Sequence, residues 1–245
     1  MCPDLVMVES GSSSQREGLN HQAIEDYLKV IYQLEQEASP VSTSRLSAAR
    51  AVKPGSATSM IQRLDKLGLV NYTKHGGVTL TPAGQEIALE VIRHHRLVEL
   101  YLIEALGFGW DEVHEQADIL EHVISEQLEE RMAAALNHPQ YDPHGDPIPS
   151  KEGKLAAVDS RPLSAVPAGQ HVTVARVPDD SNAEMLRYLA QLGLRPGARL
   201  KVVARAPFEG PLTVLVNGEE IVVGRRVAEA IWVSDSDPAP DGAGH

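Results

Sequence analysis

The chain has 245 residues, of which 42% are hydrophobic and 23% charged, as expected for a globular protein of two or three small domains. No apolar run reaches the roughly 18 residues of a membrane-spanning helix. The first residues lack the basic and apolar regions of a secretory signal. The single cysteine, Cys2, excludes an internal disulfide and a thiolate-rich zinc site. We therefore expect a cytoplasmic protein with no membrane partner.

The net charge of −12 is unevenly distributed. Residues 19–82 contain seven basic and five acidic side chains, so this segment carries +2 and the rest of the chain −14. Contact with phosphates requires such a local positive surface. The charge alone does not establish DNA binding, so the predicted fold of this segment has to support it.

The first part of the chain is predicted to form a winged helix-turn-helix. Helices are predicted at 21–37, 44–52 and 56–67, and strands at 69–74 and 78–81. The helices follow from apolar residues at helical spacing, and the strands from short runs on either side of His75-Gly76-Gly77. In this order of elements, the second helix of the pair enters the major groove of DNA and the hairpin flanks it.

The rest of the chain is predicted to be helical and then stranded. Thr81 and Pro82 open a long helix that Gly107 ends, and Asp111 is expected to cap a second helix that runs to about Leu136. An irregular loop follows at 137–153. Strands are predicted at 171–177, 200–206, 213–216, 220–223 and 230–233, with a short helix at 183–192. Such closely spaced short strands indicate a small β-barrel.

The predicted fold class is therefore mainly α with small β parts. It combines a winged helix-turn-helix, a helical dimerisation domain and a C-terminal SH3-like β-barrel. The predicted segments are a disordered tail at 1–18, the DNA-binding domain at 19–81, the helical metal-binding and dimerisation domain at 82–153, a linker at 154–167, the SH3-like (FeoA-like) domain at 168–234 and a disordered tail at 235–245.

The two middle helices carry imidazoles and carboxylates where a core stripe is expected. On the first helix, His95 and Glu99 are four residues apart and share a face. On the second, one stripe contains His114, Asp118, Glu121 and His122. Burying these groups without partners would cost several kcal/mol, and a divalent cation is the simplest compensation. His94 is excluded because it points to another side of the helix.

Two alternatives remain open for this stripe. It could face solvent and form salt bridges with Arg93, Arg96 or Arg131, in a regulator that binds no metal. It could also serve a metal-dependent hydrolase, which would need an open coordination position and a substrate pocket. A winged helix has no evident use in such an enzyme, so we expect no enzymatic activity and no small organic substrate.

Several segments make the chain similar to the diphtheria toxin repressor family of iron- and manganese-dependent regulators. They are EDYLKVIY (25–32), LTPAG (80–84), RHHRLVE (93–99), VH (113–114), EHVIS (121–125) and PHGDPIP (143–149). The resemblance covers residues 20–153 well and 168–234 more loosely. It implies a metal-dependent DNA-binding regulator that represses metal uptake genes, with activation as the alternative.

The resemblance also implies two sets of metal ligands. The ancillary site of the family falls on His95, Glu99 and His114. The primary site falls on Asp26, Asp118, Glu121 and His122, which would join the first helix to the dimerisation domain. In longer members of the family the C-terminal domain can contribute ligands, for which Asp180 and Glu184 are the candidates.

Carboxylates at two positions indicate which metal is sensed. The iron-responsive branch has a methionine where this chain has Asp26 and a cysteine where it has Asp118, whereas the manganese branch has carboxylates at both. The manganese branch also has a glutamate where this chain has Lys29, which argues against a paired-metal site. We expect Mn²⁺ to be the cofactor, with Fe²⁺ as the alternative and Zn²⁺ or Cd²⁺ binding opportunistically.

The expected macromolecular partners are double-stranded operator DNA and a second copy of the chain. The predicted recognition helix places Gly55, Ser56, Thr58 and Ser59 near base edges. Candidate phosphate contacts are Arg45, Arg50, Lys53 and Lys74. The two middle helices carry more apolar side chains than they can bury against each other, which favours a homodimer interface, although packing against the first helix could absorb some of them. These residues are Leu100, Ile103, Leu106, Val123 and Leu128.

Overall fold

The computed structural model of the protein describes residues 11–178 and 183–235. The chain divides into two compact units, Met1–Ile92 and Arg93–His245. The helix α4 (Pro82–Leu106) contributes its first residues to one unit and the remainder to the other. Within the described residues, no helix is both long enough and apolar enough to cross a membrane.

The first unit is a winged helix-turn-helix, as the sequence predicts. Before α4 it contains α1 (Gly11–Glu37), α2 (Thr43–Ala49), α3 (Pro54–Lys66), β1 (Val70–Thr73) and β2 (Gly77–Leu80). The two strands form an antiparallel hairpin. Apolar faces of all three helices meet the hairpin in one core, whose fully buried residues include Leu28, Ile31, Leu46, Ile61, Leu64 and Val78.

Particular residues set the ends of these elements. The hydroxyl of Ser42 accepts a hydrogen bond from the backbone N–H of Arg45 at 3.2 Å and so caps α2. Pro54, which breaks the apolar pattern of the sequence, lies in the first turn of α3, where its fixed φ suits a helix. Gly77 has a φ of +97°, and a Cβ there would lie 2.8 Å from the carbonyl oxygen of Val41. The turn of the hairpin therefore requires glycine.

The helix α1 begins earlier than its apolar pattern predicts. It starts at Gly11 rather than at His21, so residues 11–18 of the predicted tail are helical. Glycine and serine at 11–14 have low helix propensity and carry no apolar period, which is why the sequence pattern does not reveal the first turns of this helix. Asp180 lies outside the described residues, as does most of the predicted C-terminal tail.

The second unit begins with helices, and the prediction of one continuous helix up to Leu136 is wrong. The structure has two, α5 (Val113–Leu120) and α6 (Glu126–Ala135). Ser125 prevents one continuous helix because its backbone is extended. Its side chain caps α6 by accepting a hydrogen bond from the N–H of Leu128 at 3.3 Å. The cap position of α5 is Glu112 rather than the predicted Asp111.

The C-terminal part of the second unit is a six-stranded antiparallel sheet in the order β3-β8-β4-β5-β6-β7. Its elements are β3 (Arg161–Pro162), a 3-10 turn (Leu163–Ala165), β4 (His171–Arg176), α7 (Ala183–Gln191), β5 (Arg199–Arg205), β6 (Leu212–Val216), β7 (Glu219–Val223), α8 (Arg225–Ala230) and β8 (Trp232–Ser234). The five predicted strands and the helix are confirmed. Sequence reasoning missed β3, the turn and α8, which are too short to show a period.

The irregular loop predicted at 137–153 is confirmed, and it packs against the sheet. The backbone N–H of Val177 donates to the carbonyl oxygen of His144 at 2.9 Å, and Arg176 contacts Asp146 at 3.1 Å. A Cβ on Gly145 would lie 2.0 Å from the carbonyl oxygen of Ala175, and Gly145 has a φ of +91°. The loop can therefore reach β4 only because residue 145 has no side chain.

Gly145→Ala should lower the free energy of unfolding by about 3 kcal/mol or more, because it combines an unfavourable φ with a backbone clash. Gly169→Ala is the matched control. Gly169 has a φ of +92° but no atom within 4 Å of an added Cβ, so its replacement should cost only about 1 kcal/mol. Urea unfolding of the two variants measures both values. Equal losses would contradict close packing of the loop on the sheet.

Candidate metal centre

Imidazoles and carboxylates from α4 and α5 meet inside the second unit, as their spacing in the sequence predicts. His95 and Glu99 come from one face of α4, and His114 and Asp118 come from α5. Glu121 follows the last residue of α5, and its backbone N–H still donates to the carbonyl oxygen of Ala117 at 2.9 Å. This helical hydrogen bond one residue past the end of α5 keeps Glu121 near the α5 face.

His95 lies at the centre of this cluster and is 2% exposed. Its Nε2 lies 3.0 Å from Glu99 Oε1 and 3.1 Å from His114 Nδ1. Its Nδ1 lies 2.5 Å from Glu121 Oε2 and 3.4 Å from Asp118 Oδ1. The two predicted ligand sets are therefore not separate, since Asp118 and Glu121 of one contact His95 of the other.

Glu99 is fully buried and is surrounded by three imidazoles. Its Oε1 lies 3.2 Å from His114 Nδ1, and its Oε2 lies 3.7 Å from His144 Nδ1. Burial raises the pKa of Glu99, but its interactions with His114, His144 and His95 outweigh this effect and hold the pKa well below its usual range. Glu99 is therefore an ionised carboxylate in the interior of the unit.

Sequence reasoning missed Asp142 and His144 as candidate site residues. Both are buried, and together with Glu99 they offer three ligand atoms that all lie within 4.8 Å of one another. Asp142 shapes the loop, because its Oδ1 accepts hydrogen bonds from the backbone N–H groups of His144 and Asp146, each at 2.9 Å. The signal in the sequence was the run Asp142-Pro-His-Gly-Asp, which places two carboxylates and an imidazole close together in a loop.

The structure contradicts a solvent-facing, salt-bridged stripe for most of these residues. Glu99 and Glu121 are 0% and 2% exposed, whereas the side chain of Asp118 is 52% exposed. Two of the three arginines considered as partners contact carboxylates that are not part of the stripe. Arg93 contacts Glu129 at 2.5 Å, and Arg96 contacts Asp142 at 3.3 Å. Arg96 is thus the only one of these two arginines that approaches the cluster.

His94 and His122 lie at the edge of the cluster. His94 Nδ1 lies 3.1 Å from the backbone oxygen of Glu121, and its Nε2 lies 3.4 Å from Glu129. His122 Nε2 lies 3.5 Å from Glu121 Oε1. Glu184, a candidate donor from the C-terminal domain, is exposed in the first turn of α7.

The predicted site residues of the first unit divide into engaged and exposed groups. Asp26 Oδ2 lies 2.7 Å from a guanidinium nitrogen of Arg50, and Arg45 contacts Glu37 at 2.6 Å. Thr58 is partly buried, and its hydroxyl donates to the carbonyl oxygen of Pro54 at 2.9 Å. The candidates that are exposed are Lys53, Gly55 and Ser56 at the start of α3, Ser59 one turn later, and Lys74 in the hairpin.

The donor chemistry of the second unit fits a divalent cation. One group consists of His95, His114 and Asp118, whose ligand atoms lie within 4.8 Å of one another, and Glu99, Asp142 and His144 form another. Glu99 Oε2 is buried, and within the described residues it has no hydrogen-bond partner. A cation would neutralise this carboxylate and accept the imidazole nitrogens directly.

Family models match almost the whole described chain. The N-terminal DNA-binding domain of the iron dependent repressors matches residues 21–78, their metal binding and dimerisation domain matches residues 81–150, and the FeoA domain matches residues 161–235. These domains define a metal-dependent transcriptional repressor with an SH3-like C-terminal sheet.

Individual proteins agree with the domain models. The iron-dependent repressor IdeR of Mycobacterium tuberculosis (strain H37Rv) is 30% identical over 222 residues, which cover 85% of this chain and 95% of that protein. A solved manganese-dependent transcriptional repressor in complex with manganese is 41% identical, with a TM-score of 0.79 and coverage of 86% and 98%. The structure of ScaR with bound Cd²⁺ is 31% identical, with a TM-score of 0.72 and the same coverage.

The chain belongs to the iron-dependent repressor family, which includes the diphtheria toxin repressors. This confirms the resemblance inferred from its motifs. Members of the family are DNA-binding transcriptional repressors and not enzymes, which rules out the metal-dependent hydrolase considered from the sequence.

Glu99→Gln should lower the free energy of unfolding of the metal-free protein at pH 7 by about 2 kcal/mol, because it removes a buried charge from hydrogen bonds with imidazoles. The folded-state pKa of Glu99 is depressed, so its stabilising contribution is present above the ordinary carboxyl pKa of about 4.5 and is lost as the pH falls through the folded-state value. The difference between wild type and variant should therefore shrink below about pH 4.5.

Urea unfolding between pH 7 and pH 3.5 in the presence of chelator measures this difference. Glu130→Gln, on the exposed side of α6, is the control and should follow the wild type at every pH. A Glu99→Gln variant as stable as the wild type at pH 7 would show that the carboxylate does not hold the cluster together.

Proposed function

We propose that this protein is a manganese-responsive repressor of metal uptake genes. The observation that carries the proposal is the donor set, which consists of carboxylate oxygens and imidazole nitrogens around the buried Glu99. The proposed primary ligands, Asp26, Asp118, Glu121 and His122, are three carboxylates and one imidazole, and such an oxygen-rich set suits Mn²⁺. The similar structure at 41% identity is a manganese-dependent repressor in complex with manganese, which supports the same choice of ion.

Fe²⁺ is the second candidate, because the mycobacterial relatives are iron-dependent repressors. Mn²⁺ forms the weakest complexes among the common divalent ions, so site geometry and availability in the cell must decide between them. ScaR, a similar protein, has been solved with bound Cd²⁺ and with bound Zn²⁺. We therefore expect these two ions to bind this chain in vitro without being its physiological signal.

The proposed ligands form two sites. The primary site consists of Asp26, Asp118, Glu121 and His122. The second consists of His95, Glu99 and His114, and we extend it with Asp142 and His144 because both approach Glu99. The contact of 2.5 Å between His95 and Glu121 connects the two sets, so occupation of one site should change the geometry of the other.

The proposed switch joins metal binding to the orientation of the DNA-binding helices. Asp26 lies in α1, and the other primary ligands lie in or just after α5. A cation bound by these residues would couple metal occupancy to the orientation of the DNA-binding helices. Metal binding must then raise the affinity for DNA by the same factor by which DNA raises the affinity for metal, because the coupling free energy is reciprocal.

The proposed DNA-competent form is a cytoplasmic homodimer on operator DNA. Two copies of α3 would read two half-sites through the exposed Ser56 and Ser59, with Lys53 and Lys74 near phosphates. Three of the residues predicted for the interface, Leu106, Val123 and Leu128, are 61%, 68% and 48% exposed, and so is Ile119 at 65%. Leu100 and Ile103 are half-buried within the unit and would contribute less to the interface.

Asp26→Met combined with Asp118→Cys should shift activation of DNA binding from Mn²⁺ toward Fe²⁺ and other softer ions, because sulfur replaces hard oxygen at two ligands. Anaerobic titrations of DNA binding with each ion measure the shift, on a duplex selected from a random pool by the wild-type protein in Mn²⁺. Glu121→Ala should abolish the response to every ion, and Glu112→Ala is its control. An unchanged ion preference in the double variant would contradict the assignment of Asp26 and Asp118 as metal ligands.

Ser56→Ala combined with Ser59→Ala should weaken binding to the same duplex by about tenfold or more, because each base contact contributes roughly 1–3 kcal/mol of discrimination. Thr58→Ala should have a smaller effect, since its hydroxyl is already bonded to Pro54 within α3. Manganese binding and sedimentation as a dimer should remain as in the wild type. Equal losses for both variants would mean that the exposed face of α3 is not the reading surface.

A further inference from the structure

The first unit contains an ion pair between a proposed metal ligand and a residue of the helix-turn-helix. Arg50 is the C-cap residue of α2, and its backbone N–H donates to the carbonyl oxygen of Leu46 at 3.0 Å. Its guanidinium reaches α1, where Nη2 donates to Asp26 Oδ2 at 2.7 Å. Arg50 is also a predicted phosphate contact, and in the structure its guanidinium pairs with Asp26.

The environment of Arg50 makes this pair stronger than a typical surface ion pair. The side chains of Arg50 and Asp26 are 29% and 28% exposed, so solvent screens the pair only in part. The guanidinium carbon lies 5.4 Å from the centroid of the Tyr27 ring, which is within range of a cation–π interaction. Nε of Arg50 is buried and makes no hydrogen bond within the described part of the chain, so Asp26 and Tyr27 are the groups that hold the guanidinium here.

A guanidinium and a divalent cation compete for the same negative charge. An arginine beside an aspartate lowers the affinity of that carboxylate for a proton by one to three powers of ten, and the same electrostatics apply to a metal ion. One of the two oxygens of Asp26 is already bonded to Arg50. A metal ion at Asp26 must therefore bind in the field of a fixed positive charge or displace it.

We propose that Arg50 is a built-in cationic competitor of the metal at Asp26, and that it raises the Mn²⁺ concentration needed to occupy the primary site. This inference rests on the proposed function, in which Asp26 is a metal ligand. In the metal-free protein Arg50 neutralises Asp26 and ties α1 to α2. Mn²⁺ bound at this carboxylate would weaken the ion pair that joins α1 to the C-terminal end of α2. Metal occupancy is thereby sensed inside the DNA-binding unit itself.

Manganese titration of the full-length, chelator-stripped protein without DNA tests the proposal. Arg50→Met retains the aliphatic stem against Tyr27 but removes the charge, and it should bind Mn²⁺ about tenfold more tightly at the site that requires Asp26. Arg50→Gln also removes the charge and should bind Mn²⁺ with the same gain, so it can replace Arg50→Met if that variant folds poorly. Arg50→Lys keeps the charge and should stay near the wild type.

Arg45→Met is the matched control. Arg45 lies in α2 and pairs with Glu37 of α1, which is not a proposed ligand. Its Mn²⁺ affinity should equal that of the wild type. Asp26→Asn should lose the site, and the gain caused by Arg50→Met should disappear in the Asp26→Asn background. Unchanged or weaker Mn²⁺ binding in both uncharged Arg50 variants would overturn the proposal.

The Asp26→Asn variant separates this failure from that of the proposed function. Unchanged Mn²⁺ binding in Asp26→Asn would overturn the assignment of Asp26 as a ligand, and the competitor role of Arg50 with it. Weakened binding in Asp26→Asn together with unaffected Arg50 variants would overturn only the competitor role.

Discussion

The buried carboxylate of Glu99 is the constraint on which the second unit depends. A charge in the interior has to be compensated, and the structure supplies His95, His114 and His144 from α4, α5 and the loop before the sheet. Three segments distant in sequence are thus held at one point by electrostatics rather than by apolar packing alone. The same arrangement that stabilises the metal-free unit is a set of donors for a divalent cation.

Much of the fold could be predicted from the sequence, because long amphipathic helices and a glycine-rich hairpin carry strong periodic signals. The winged helix, α4 and five strands of the sheet are of this kind. The break between α5 and α6 could not be predicted, since apolar residues continue through it and only the cap at Ser125 interrupts the helix. The strand β3 (two residues) and α8 (six residues) are too short to show any period.

The site was predicted in part, for a physical reason. Helical spacing identifies residues that share a face, which is how His95 and Glu99 were found together. It gives no information about residues that a loop brings in, so Asp142 and His144 were missed. It also cannot show how charges pair between helices, so the ion pair of Arg50 with Asp26 was not expected from the sequence. Contacts between elements are set by tertiary packing, which has no period in the sequence.

The central claim is that metal binding and DNA binding are coupled in this chain. The most direct measurement is the affinity of the wild-type protein for its selected duplex in strong chelator and in saturating Mn²⁺, at one salt concentration. The account predicts binding that is about 5- to 150-fold tighter in Mn²⁺, the usual range of such coupling. Equal affinity under the two conditions would contradict it, and the buried imidazole–carboxylate cluster would then have only a structural role.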